Sequence, residues 1–142
     1  MFNNGAEEAM KFYTSVFKDS RITGTLPGPD GGVMGGGFEI EGQSFYAYNG
    51  GPYFKFSQGI SLMVRAETQD EIDHLYESLS EGGEQQPCSW LVDKFGVSWQ
   101  IVPPILMQLL GDPDREKAGR VMQAMMKMTK IIIADLEAAA SG

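Results

Sequence analysis

A chain of 142 residues with 42% apolar and 11% aromatic content can build a core as one compact unit or two small fused ones, so a disordered chain is excluded. A net charge of −8 with scattered Lys and Arg excludes a nucleic-acid surface, which needs a basic stripe. No apolar run approaches the roughly 20 residues that cross a bilayer, and the single cysteine, Cys88, excludes an internal disulfide framework and points to a reducing cytoplasm.

Met1–Gly5 leaves room for only the end of a strand. A helix is predicted from about Gly5 to Phe17, because Ala6, Ala9, Met10, Tyr13, Val16 and Phe17 recur on one face. Asn4 is its expected cap, with Glu7 and Glu8 complementing the dipole. Gly24 to Gly37 is rich in glycine and proline and reads as a mobile loop. Its Gly31–Gly37 run lacks the preceding strand and following helix of a nucleotide cradle.

Phe38–Ile40 and Ser44–Tyr48 read as short strands joined at a Glu41-Gly42 hairpin turn. Asn49–Pro52 leads through Tyr53, Phe54 and Phe56 to a strand from Ile60 to Arg65. A second helix follows: Thr68 and Glu71 form a capping box, Ile72, Leu75, Tyr76 and Leu79 make the apolar face, and Gly82-Gly83 stop it. His74 lies opposite that face and reads as solvated. Cys88 has no neighbouring histidine and reads as structural.

The two halves rhyme. Glu7–Val16 shares Glu, Tyr and Ser in register with Asp70–Leu79, and Gly42–Ala47 matches Gly96–Ile101 in the same way. The repeat predicts a duplicated βαβββ module. The last forty residues differ in kind. Pro103-Pro104 opens a short helix to Leu110, and Asp112-Pro113 is expected to cap and start a longer one. Its stripe of Ala118, Val121, Met122, Met125 and Met128 or Thr129 continues through Ile131–Ile133 to Leu136. Five of the nine methionines lie from Met107 onward, on an arm expected to pack on the module or on a second subunit.

Between these parts lies Trp90–Pro103, which turns at Asp93–Gly96 and then runs apolar. Val97, Trp99 and Ile101 alternate with Ser98, Gln100 and Val102, the pattern of a strand with a polar face toward a cavity. Asp93–Pro103 resembles the closing strand of PhnB-like proteins in the glyoxalase/bleomycin-resistance/dioxygenase (vicinal oxygen chelate) superfamily. Asn4–Tyr13, Gly42–Phe45, Asn49–Phe56, Leu79–Gly83 and Ala124–Met128 are similar to the same group. The resemblance implies an α+β fold of paired βαβββ modules with a C-terminal helical extension, commonly as a homodimer. The modules fall at 1–58 (first strand truncated) and 59–103, with an arm at 104–142, all expected in one compact domain. The group often carries the label 3-demethylubiquinone-9 3-methyltransferase-like. No glycine-rich strand-to-helix turn for S-adenosylmethionine and no alternating βα pattern accompany it here.

In the superfamily a divalent metal takes one ligand from the first strand and one from the last strand of each module. The resemblance maps these slots onto Ser61 and Gln100, onto Tyr46, and onto a position before Met1. A hydroxyl, an amide and a phenol supply neither the charge nor the imidazole of a catalytic metal site, so a metal is disfavoured. No paired acid and base or Ser/His/Asp set replaces it. The expected site is a metal-free, mostly apolar cavity lined by Ser61, Met63, Ser98, Gln100, Tyr46 and Tyr48, holding a small organic molecule. The rival readings are a metal-dependent lyase or dioxygenase, its ligands completed by a partner chain or upstream residues, and a methyltransferase.

Overall fold

A computed structural model describes all of residues 1–142. The fold is mixed α+β and divides into two compact units, Met1–Ser57 and Gln58–Gly142. No helix is long and apolar enough to cross a membrane.

In the first unit, α1 (Ala6–Val16) precedes β1 (Ser20–Pro27), β2 (Val33–Ile40) and β3 (Gln43–Tyr48), which pair antiparallel in the order β1-β2-β3. Phe2 adds a parallel bridge to Asn49, just beyond β3. The apolar face of α1 buries Ala6, Ala9, Met10, Tyr13 and Val16. Tyr13 stacks on Phe38 of β2, and Phe38 on Phe45 of β3, at centroid distances of 6.0 and 5.3 Å. The helix cap differs from expectation. Gly5 is the N-cap, and the Ala6 amide donates to Asn49 Oδ1 at 2.9 Å. An amide distant in sequence thus satisfies an orphan donor that local spacing assigned to Asn4.

The glycine-rich stretch is also a correction. It forms a hairpin in which Gly24, Thr25 and Leu26 of β1 face Gly37, Gly36 and Gly35 of β2. The turn closes through Gly28 N donating to Gly32 O at 2.7 Å, with Asp30 Oδ1 accepting from Gly32 N. Side-chain periodicity is silent there because the ladder is made by the backbone. A Cβ on Gly36 would stand 2.2 Å from Gly24 O, and one on Gly35 2.4 Å from Ala47 O, so the neighbouring strands leave room only for hydrogen.

The second unit repeats the plan. β4 (Leu62–Arg65), α2 (Gln69–Ser80), β5 (Glu84–Gln85), β6 (Trp90–Val92) and β7 (Ser98–Val102) build a sheet ordered β4-β7-β6-β5. β4 and β7 are parallel and the other pairs antiparallel, as Phe2 and β3 begin to do in the first unit. The α2 capping box forms as expected: Thr68 Oγ1 accepts from Glu71 N, and the Glu71 carboxylate accepts from Thr68 N. Ile72, Leu75, Tyr76 and Leu79 are buried, as are Leu91, Trp99 and Ile101 of the sheet. Burial pushes the Tyr76 phenol up, and its hydroxyl donates to Gln86 O at 2.9 Å. His74 is exposed.

The C-terminal helices α3 (Pro104–Leu110), α4 (Arg115–Met125) and α5 (Ile133–Ser141) belong to this second unit. Asp114, rather than Asp112, caps α4, accepting from Glu116 N and Lys117 N. The helical stripe breaks after Met125, because residues 128–133 are tied to the turn at Cys88-Ser89 and to α2 instead. Cys88 and Ser89 adopt left-handed φ of 60° and 58°, and their amides donate to Met128 O and Thr129 O. Ser89 Oγ accepts from Ile131 N at 2.7 Å. Gln69 bridges the same segment, donating to Ile131 O and accepting from Ile133 N.

Lys130 completes this attachment, lying 2.8 Å from Asp73 and 3.0 Å from Glu77 on α2. The hydrogen bond from Lys130, and then that from Gln69, holds the Asp73 carboxyl below the usual carboxylate range, while Asp73 and Glu77 raise Lys130. Asp73 therefore adds stability above the carboxylate range and loses it as pH falls through its folded value. Lys130 adds stability below the lysine range and loses it as pH rises through its own folded value. Lys130→Met is expected to cost under about 1 kcal/mol at neutral pH, since Glu77 and much of Asp73 are solvated. In urea titrations the difference from the unmodified chain should shrink as pH falls below about 4. A difference that stays constant down to that range would show that the pair is not the source.

Candidate functional site

The six residues expected to line a site divide between the units. Tyr46 and Tyr48 lie on β3 in the first. Ser61, Met63, Ser98 and Gln100 lie in the second, on β4 and β7 or at their ends.

In the second unit the grouping follows from register. β7 places Trp99 and Ile101 on the buried α2 side and Ser98, Gln100 and Val102 on the other. Gln100 faces Met63 across the parallel pair and Trp90 across the antiparallel one, and Val92 pairs with Ser98. Gln100 Nε2 donates to Ser61 Oγ at 2.7 Å. The two residues on the mapped metal slots of this module are therefore bonded to each other. Ser98, 3% exposed, has an Oγ with no hydrogen-bond partner. Such an orphan costs about 1–3 kcal/mol. Met63 is 60% exposed, so it forms open apolar surface rather than core.

In the first unit Tyr46 and Tyr48 stand on the face away from α1, opposite Gly37 and Gly35 of β2. Their rings are nearly parallel, 10° apart with centroids 6.5 Å apart. A Cβ on Gly37 would lie 3.4 Å from the Tyr46 ring and one on Gly35 2.7 Å from that of Tyr48, so the glycine run clears the space beneath them. Tyr46 is 74% exposed. The sequence reading of Gly35 and Gly37 as loop missed this support, since only the strand register brings them under the rings.

Two surface grooves lie elsewhere, and neither includes any of the six residues. One, of about 530 Å³, is lined by Asn4, Gly28, Asp30, Val33, Met34 and Asn49. The other, of about 460 Å³, is lined by Glu77, Ser78, Ser80, Glu81, Gly83 and Gln85. No group of three or more His, Cys, Asp or Glu side chains converges. Ser61 and Gln100 offer a neutral hydroxyl and amide already committed to each other, a donor set that does not fit a catalytic divalent metal. Nor do the residues fit a nucleotide-type cradle for S-adenosylmethionine, because the Gly31–Gly37 run leads along an antiparallel strand and not into a helix.

Ser98→Ala removes a buried hydroxyl that bonds to nothing in the fold, so thermal unfolding is expected to be unchanged or slightly later. A fall of more than about 4 °C would show that the hydroxyl is bonded within the native chain.

Comparison with known proteins accords with this architecture. Residues 1–102 match the family model described as 3-demethylubiquinone-9 3-methyltransferase. A PhnB protein of Bacillus cereus, whose description carries the same family name, is 36% identical over 72% of this chain and 94% of its own, with a TM-score of 0.64. A Pseudomonas aeruginosa protein, 20% identical over 72% of this chain and 91% of its own, shares the fold at a TM-score of 0.56. No curated protein matches. The family match ends at Val102, so the helices α3–α5, including the Ala124–Met128 segment likened to the group, lie beyond it. Together, the match across both sheets and the identity to the Bacillus protein establish that this chain belongs to the PhnB-like 3-demethylubiquinone-9 3-methyltransferase family, with a glyoxalase-like fold.

Proposed function

We propose that the protein binds a small organic molecule against the face of the second unit's sheet that α2 leaves open, with no tightly bound metal and no reaction assigned. The observation that carries this reading is the half-exposed Ser61–Gln100 hydrogen bond beside the exposed side chain of Met63. Polar groups with the apolar side chains of Met63 and Trp90 next to them suit a ligand oriented by hydrogen bonds and held by contact area. Tyr46 and Tyr48 offer a separate aromatic surface in the first unit. Residues 1–58 and 59–103 are read as two copies of one module and 104–142 as an addition, which the end of the family match supports.

The family name favours a second reading, transfer of a methyl group from S-adenosylmethionine. The donor set around Ser61 and Gln100 gives the third, metal-dependent chemistry, no footing within this chain. Protein purified without chelator or polyhistidine tag is expected to hold far less than one equivalent of zinc, nickel or iron by elemental analysis, and to give no calorimetric heat with millimolar S-adenosylmethionine. About one equivalent of metal, or a saturable heat, would replace the first reading with the corresponding enzyme.

The same proposal includes a cytoplasmic homodimer. Exposed aromatic side chains in the first unit, Tyr53, Phe54 and Phe56, support the dimer. Light scattering at micromolar protein is expected to give twice the chain mass of 15.6 kDa, and a monomer mass would remove the dimer from the proposal.

A further inference from the structure

We infer that the open face of the second unit's sheet receives an uncharged, hydrogen-bonding end of its ligand, of the carboxamide or hydroxy-carbonyl class, and discriminates against carboxylates and phosphates. This rests on the binding reading above and narrows it to a chemical class.

Ser61 Oγ accepts from Gln100 Nε2, which leaves the Ser61 hydroxyl hydrogen to donate and Gln100 Oε1 to accept. Ser98, two residues along the same strand from Gln100, is buried and takes no part in this contact. A donor and an acceptor held side by side complement a group that is itself donor and acceptor, and a carboxamide or a hydroxyl next to a carbonyl has that form.

Charge argues in the same direction. The residues that share this face by register are Met63, Trp90, Val92 and Val102, without charge, with Arg65 at its end and Glu84 of β5 at its edge. Arg65 is solvated and paired with Glu67 at 2.8 Å. A carboxylate or phosphate brought against Ser61 and Gln100 would lose water and meet no unpaired cation, a loss that a hydroxyl donor does not offset. The net charge of −8 opposes the approach of anions as well. A neutral amide pays only the desolvation that its new hydrogen bonds return.

Benzamide and benzoate test this directly, because they share shape and differ in charge. In ¹H–¹⁵N spectra of the full chain, benzamide is expected to shift the Trp90 indole and the Gln100 side-chain amide in a saturable way. The Trp99 indole, on the opposite side of the sheet and bonded to Asp93, should stay in place. Benzoate is expected to bind at least about tenfold more weakly. Ser61→Ala and Gln100→Leu should each weaken benzamide by about fivefold or more while remaining folded at the temperature of the titration, so that either variant serves if the other folds poorly. Benzoate binding as tightly as benzamide at these signals would overturn the neutral class and leave the binding reading standing. Shifts confined to other residues, or none at about 10 mM of either probe, would overturn both.

Discussion

The turn at Asp93 is the constraint on which the second unit depends. Its side chain is 3% exposed, and both carboxylate oxygens are engaged. Oδ1 accepts from the amides of Phe95 and Val97 at 2.9 and 3.0 Å, and Oδ2 accepts from Trp99 Nε1 at 2.9 Å. Its own amide and carbonyl close the turn with Val97 O and Gly96 N. One side chain thus fixes both the turn and the first buried aromatic of the strand that follows. In a strand, a slip of one residue would exchange the two faces. Because Trp99 is tied to Asp93 on the α2 side, Ser98 and Gln100 must fall on the other, where Gln100 meets Ser61. The neutral pair is a consequence of that register.

The same logic of remote partners runs through the rest of the chain. In the first unit Asn49 satisfies the first amide of α1 while the backbone around it bridges to Phe2, so one residue joins the end of the sheet to the start of the helix. In the second, Cys88, Ser89 and Gln69 hold residues 128–133 by five hydrogen bonds. These bonds explain why the apolar stripe of the C-terminal region becomes two helices rather than one. The backbone carbonyls of Met128 and Thr129 are used by the left-handed turn and cannot continue a helical ladder.

Local chemistry made much of this legible from the residues. The α2 capping box, its buried face, the apolar face of α1, the Glu41-Gly42 turn and the alternation along Ser98–Val102 each depend on side chains a few positions apart. The family, too, could be recognised from short runs such as Asp93–Pro103. The hairpin of β1 and β2 was not legible, because glycine carries no pattern and the pairing is purely backbone. The caps of α1 and α4 were displaced by one or two residues for a related reason. At α1 remote Asn49 took the place of a local side-chain cap, and at α4 Asp114 was used where Asp112 was also near.

For the candidate site the division is sharper. The sequence by itself determined which groups are available: hydroxyls at Ser61 and Ser98 and an amide at Gln100, on strands whose alternation sets them to one side of the sheet. Only the tertiary structure decided that Gln100 and Ser61 bond to each other, that Ser98 is covered yet unpartnered, and that glycines lie beneath Tyr46 and Tyr48. The physical reason is that residue types and spacing set what a side chain can donate or accept, whereas its partner is set by strand register, which joins residues thirty-nine positions apart.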